Sequence, residues 1–169
     1  MQVVLRRVCE HDFSTLLDLN ARALPEVNPM DDRLLQWFLD RAAYFRILEF
    51  DARLATFLVA VSHDSGYESE YFEWFVQRYE RFLYIDRVIV AAWARRKRFA
   101  WHLFEDVASF AQREQYLLAS DVYSHPPNEP SLAFHRKFGF EQVGTQRIAG
   151  GTKVVAKFLK IDSHLAELT

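Results

Sequence analysis

Four consecutive cations, Arg95-Arg96-Lys97-Arg98, precede a stretch with helical apolar spacing that opens at Phe99. A helix N-terminus exposes N–H groups and carries partial positive charge, so it ordinarily begins with Ser, Thr, Asp or Asn. None of these occurs between Ala91 and Trp101. A cationic helix start of this kind suits an anion, because a phosphate would accept the N–H bonds and neutralise the side chains. The same run also reads as a solvated basic turn. A second set of residues, Asn128 to Phe140, is spaced for a short helix with Ser131 and His135 on one face, one turn apart. Asn128 would cap that helix or offer its amide to a ligand, and Gly139 supplies a left-handed stop. His135 fits proton transfer or a purely structural place on the helix.

These residues need elements to hold them. Val3–Val8 is expected to be a strand, and His11–Leu24 a helix closed by Pro25. Asp31 or Asp32 would cap a second helix carrying Leu34, Leu35, Phe38 and Leu39. Tyr44–Phe50 and Leu54–Val61 read as a hairpin. His63–Arg81 begins as a loop and becomes dense in aromatics from Tyr67 onward. Those rings would form core, an acceptor wall or a dimer face. Phe82–Val90 is a strand, Ala91–Arg98 an irregular link and Phe99–Arg113 a helix. Leu117–Tyr123 is a strand, Ser131–Phe138 a helix, and Phe140–Arg147 and Lys153–Lys160 are closing strands. The alternation in the second half implies a mixed sheet covered by helices, with a cleft where hairpin gives way to β-α-β crossover.

The chain has 169 residues, half of them apolar and 15% aromatic, which suits one packed α/β domain over 1–169. A net charge of −2 gives no sign of a nucleic-acid or membrane partner. The single cysteine, Cys9, excludes an internal disulfide and a cysteine-based metal site, and no metal is expected. The opening residues lack the apolar run of a signal peptide, so a cytoplasmic location is expected.

Together and in this order, the two sets resemble the GNAT family of N-acetyltransferases. That family's coenzyme A loop, Arg or Gln, two residues, Gly, one residue, Gly or Ala, falls on Arg95-Arg96-Lys97-Arg98-Phe99-Ala100. Arg98 stands where the central glycine is usual, and Arg96 where a second is frequent. The later segment matches at Asn128, Ser131, His135, Gly139 and Phe140 without a gap. The resemblance implies the GNAT acyltransferase fold, a mixed, mostly antiparallel central sheet flanked by helices. It also implies transfer of acetyl from acetyl-CoA to a primary amine of a small or amino-acid-like acceptor, and it permits a homodimer. By position, Val88, Ile89 and Val90 would offer strand backbone to the pantetheine and the acetyl carbonyl. Arg95, Arg96, Lys97, Arg98, Phe99 and Ala100 would hold the pyrophosphate. Asn128 and Ser131 would lie beside the pantetheine arm. Asp86 is the candidate base, acting through water, or else an edge carboxylate paired with a neighbouring Arg. His135 or Tyr123 would be the acid for the thiolate.

An arginine at the glycine position would either block the diphosphate or swing aside and add a charge-assisted bond. The alternative function is therefore a GNAT-fold binding module with a degenerate coenzyme A loop. A nucleic-acid role for the basic run, with Trp93 and Trp101 for stacking, ranks last on charge.

Overall fold

The structure is a computed structural model that describes residues 1–161. Its elements are β1 (Val3–Arg7), α1 (Phe13–Arg22), α2 (Asp32–Arg41), β2 (Tyr44–Phe50), β3 (Arg53–Ser62) and α3 (Glu70–Val76). They continue with β4 (Phe82–Val90), α4 (Phe99–Arg113), β5 (Leu117–His125), α5 (Glu129–Phe138), β6 (Glu141–Ile148) and β7 (Lys153–Lys160). The strands follow the order β1-β2-β3-β4-β5-β7-β6 in a mostly antiparallel sheet. The contacts divide the described residues into two compact units, residues 1–61 with 86–109, and residues 62–85 with 110–161. The boundary falls within β4.

In the first unit, β1-β2-β3 form an antiparallel meander registered by Leu5↔Leu48 and Ile47↔Phe57. Asp31 caps α2 as expected, its Oδ1 accepting the Leu34 N–H at 2.9 Å. Phe38 of α2 then meets Phe45 of β2 edge to face, and Leu16, Leu35 and Phe38 are fully buried. On α4, Asp106 accepts from Tyr44 Oη at 2.8 Å and Arg46 Nη1 at 3.0 Å. Burial, then the Asp106 bond, pushes the Tyr44 phenol above the ordinary tyrosine range.

In the second unit, the opening residues of β4 pair in parallel with β5, from Phe82↔Leu117 to Tyr84↔Ala119. Each strand then runs on, β4 to Val90 and β5 to His125. β5 pairs with β7, and β7 with β6. Gly139 ends α5 with φ 101°, and the Phe140 N–H returns to the His135 carbonyl.

The aromatic stretch after His63 is the element that the sequence leaves open between core, acceptor wall and dimer face. It folds as α3, whose Phe72 and Phe75 are buried against Phe82 and Tyr84 at ring distances of 5.5 to 5.8 Å. Phe72 and Phe75 are therefore core, while Tyr67, Tyr71, Trp74 and Tyr79 are half-buried. Trp74 lies on Gly144, beside the register shift in β6. A Cβ at residue 144 would come 2.6 Å from Trp74 Cζ2. Among the described residues no helix is long and apolar enough to cross a membrane.

The α3 packing sets a test. Gly144→Ala should lose about 1–3 kcal/mol in urea unfolding, because the ring or the strand must shift. An unchanged midpoint would show that Trp74 is not held against the sheet.

Candidate functional site

The first unit carries the candidate residues of β4 and of the loop ahead of α4. Along β4, Asp86, Val88 and Val90 are half-buried while Arg87 and Ile89 are buried, the alternation of a strand. Asp86 faces an ion pair: Arg87 Nε donates to its Oδ2 at 2.7 Å, with both side chains almost fully enclosed. Arg87 Nη1 also donates to Asn20 Oδ1 at 2.7 Å and to the Asn28 carbonyl at 2.9 Å. Asn20 Nδ2 reaches the same carbonyl at 3.1 Å. A buried guanidinium needs such partners to offset desolvation. The network thus ties the end of α1 and the chain after it to β4, and it uses the Asp86 carboxylate to do so.

After Val90 the chain makes a 3-10 turn, Ala92–Ala94, and then the loop Arg95–Arg98 leads into α4. The four cationic side chains are exposed. Two of them stand in left-handed backbone, Arg96 at φ 62° and Arg98 at φ 63°. These are the positions at which the sequence pattern has glycine. The left-handed region costs an L-residue on the order of 1 kcal/mol or more. The loop therefore keeps a glycine-like backbone path while its side chains point outward. Lys97 Nζ lies 5.6 Å from the Trp93 ring, which also carries Arg53 at 4.4 Å, and Arg98 lies 5.5 Å from the Trp101 ring. No acid occupies the first turn of α4. Phe99 is buried and tilted against Phe50 at 5.4 Å, which anchors that turn, and Ala100 is half-buried.

The second unit carries the candidate residues of β5 and α5. Asn128 is the cap of α5, with Oδ1 accepting the Ser131 N–H at 3.3 Å. Ser131 in turn gives its carbonyl to His135 Nδ1 at 2.8 Å. A carbonyl only accepts, so Nδ1 carries the proton and Nε2 accepts from Ser120 Oγ at 2.9 Å. His135 is 3% exposed, and Phe140 and Phe158 lie 5.0 and 5.4 Å from its ring. Burial lowers its pKa to about 4. Both ring nitrogens are engaged in a neutral, enclosed imidazole that joins α5 to β5.

Tyr123, near the end of β5, is half-buried and shares a 3.0 Å hydrogen bond with Tyr71 Oη of α3. Lys153 Nζ stands 5.2 Å from the Tyr123 ring. Behind this pair lies a charge cluster that the sequence reading missed. Lys157 is 0% exposed, and its Nζ donates to Asp121 Oδ2 at 2.8 Å and to the Tyr71 carbonyl at 3.1 Å. Tyr84 Oη donates to the same carboxylate oxygen at 3.1 Å. Burial lowers the Lys157 pKa against the pull of Asp121. Each of Lys157, Asp121 and Arg87 interrupts an apolar strand, and a charge so placed must find a partner. That was the available signal. Among the described residues no group of three or more His, Cys, Asp or Glu is arranged to hold a metal ion.

Two outcomes follow. His135 is neutral in the native state down to about pH 4 but protonates near pH 6.5 once unfolded. Native stability should therefore fall between about pH 6.5 and pH 4, by about 3 kcal/mol, and level off below. Urea unfolding of His135→Gln should show a shallower fall over that window. Arg98→Gly should leave stability unchanged or raise it by up to about 1 kcal/mol, whereas Arg98→Val should lower it by more than that.

The sequence model of the Acetyltransferase (GNAT) family matches residues 13–140. No curated protein sequence matches the chain significantly. Solved structures share its fold at low identity. Naa20 of Chaetomium thermophilum, in complex with a bisubstrate analogue, is 15% identical with a TM-score of 0.77, covering 97% of this chain and 89% of that one. Naa50 of Arabidopsis thaliana, in complex with the bisubstrate analogue CoA-Ac-MVNAL, is 17% identical with a TM-score of 0.73, covering 96% and 100%. The ribosomal-protein-S18-alanine N-acetyltransferase of Escherichia coli is 12% identical with a TM-score of 0.71, covering 96% of each. With the family pattern spanning α1 to Phe140, the chain belongs to the GNAT acetyltransferase family.

Proposed function

We propose that residues 1–169 act as an acetyl-CoA-dependent N-acetyltransferase. The observation that carries this reading is the left-handed backbone at Arg96 and Arg98, ahead of a helix whose first turn holds no acid. The N–H groups of Arg95–Ala100 would receive the pyrophosphate, and the exposed arginines would add charge-assisted bonds at its edge. Val88, Ile89 and Val90 would offer their backbone to the pantetheine and to the acetyl carbonyl. Asn128 and Ser131, at the start of α5, would flank the arm.

The acceptor nitrogen attacks the thioester carbonyl carbon, and a strand N–H steadies the tetrahedral oxyanion. Collapse breaks the C–S bond, sulfur takes the electron pair, and the nitrogen loses its proton to solvent. We assign protonation of the thiolate to Tyr123 rather than to His135, because Tyr123 is solvent-reached and His135 is enclosed. Asp86 neutralises Arg87 and takes no proton in this scheme.

The acceptor is a primary amine. A small amine or amino acid is one class. An α-amine at a peptide end is the other, supported by the peptide analogue bound to Naa50 and the protein substrate named for the S18 enzyme. Assay with radiolabelled acetyl-CoA against free amines and the pentapeptide Met-Val-Asn-Ala-Leu separates the two. The wild type should transfer label to at least one class, and Tyr123→Phe should lower kcat on the order of 10²-fold with KM for acetyl-CoA unchanged. Tight acetyl-CoA binding without transfer to any acceptor would favour the binding-module alternative.

A further inference from the structure

We propose that Tyr71 is a positioning residue for acetyl transfer, holding the Tyr123 phenol in the orientation from which it protonates the leaving thiolate. The inference rests on the acetyltransferase reading above and adds a residue from α3, an element outside both sequence motifs. The two hydroxyls are 3.0 Å apart, so one phenol is aimed by the other. Tyr71 is itself fixed at the backbone, because its carbonyl accepts from Lys157 Nζ at 3.1 Å. Lys157 cannot drift, since it is fully enclosed and paired with Asp121 at 2.8 Å. Gln146 Nε2 secures the preceding residue by donating to the Glu70 carbonyl at 3.1 Å. The α3 helix is thus pinned at two successive carbonyls, and its first aromatic side chain reaches the one hydroxyl of β5 assigned to the chemistry.

The chemistry of the pair is directional. Burial, and then the bond to Tyr123, keeps the Tyr71 phenol protonated beyond the ordinary tyrosine range. When the Tyr123 O–H bond breaks and the S–H bond forms, Tyr71 retains its proton and donates its hydrogen bond to the phenolate oxygen. Solvent then returns a proton to Tyr123. Tyr71 never bonds to the acetyl group or the sulfur, so its effect passes entirely through Tyr123.

The test is a double-mutant cycle with Tyr71→Phe and Tyr123→Phe, which keep both rings, assayed with acetyl-CoA and whichever acceptor, free amine or the pentapeptide Met-Val-Asn-Ala-Leu, takes label from the wild type. Tyr71→Phe should lower kcat about tenfold with KM for acetyl-CoA and the thermal midpoint unchanged. The double variant should be no slower than Tyr123→Phe alone. In parallel, tyrosine ring-carbon NMR should show the Tyr71 titration moving to lower pH in Tyr123→Phe, a readout that needs no acceptor. Multiplying losses in the cycle, or a Tyr71 titration unmoved by Tyr123→Phe, would overturn the positioning role alone. A wild type that transfers acetyl to neither acceptor class, while the Tyr71 titration still moves in Tyr123→Phe, would instead overturn the acetyltransferase reading, and the role with it.

Discussion

A lysine ammonium with no solvent exposure governs the second unit. Taking such a charge out of water costs several kcal/mol, and only close, well-aimed partners offset it. Lys157 finds a carboxylate on β5, a carbonyl on α3 and the rings of Tyr71, Trp74 and Phe75 within 5.2 to 5.7 Å. One side chain on β7 thereby dictates where α3 and β5 must lie. The contact of Trp74 with Gly144, the Gln146 bond to Glu70 and the Tyr71–Tyr123 pair are all compatible with that placement. Loss of either charged partner would leave the other without its opposite charge in a site largely out of water, a penalty of about 3–5 kcal/mol.

The first unit solves a similar problem with Arg87, whose guanidinium is enclosed by Asp86, Asn20 and the Asn28 carbonyl. Its more telling feature is the loop ahead of α4. Backbone strain persists only where the surrounding structure insists on it, and it gathers at functional sites. Arg96 and Arg98 both stand in left-handed backbone while their side chains are exposed. The conformation has a purpose if the N–H groups it directs are used. The cations that break the usual helix-start rule then match a bound diphosphate.

Much of this was legible in the residues. β4 and α4 coincide with the strand at Phe82–Val90 and the helix at Phe99–Arg113 because both are long and strongly periodic. Asn128 and Gly139 bracket α5 through local chemistry that needs no tertiary context, although the helix starts at Glu129, two residues before the expected Ser131. By contrast, α3 has seven residues, too few for a pattern, and only its packing on Phe82 and Tyr84 decides it. Pairings between distant residues, Tyr71 with Tyr123 and Lys157 with Asp121, leave no local spacing to read. For His135 the sequence showed the helix face but not the depth, and depth is what keeps its imidazole neutral. At Arg98 a residue that disfavours left-handed backbone adopts it, against local propensity.

The central claim is that the loop from Arg95 to Ala100 receives acetyl-CoA in spite of its arginines. Calorimetric titration of acetyl-CoA into the wild type and into Arg98→Gly tests it directly. The account predicts saturable, roughly equimolar binding by the wild type, weakened or unchanged in Arg98→Gly, since the backbone path is already formed and the side chain points away. No binding by the wild type, with binding restored by Arg98→Gly, would contradict it and show that the arginine closes the loop to the diphosphate.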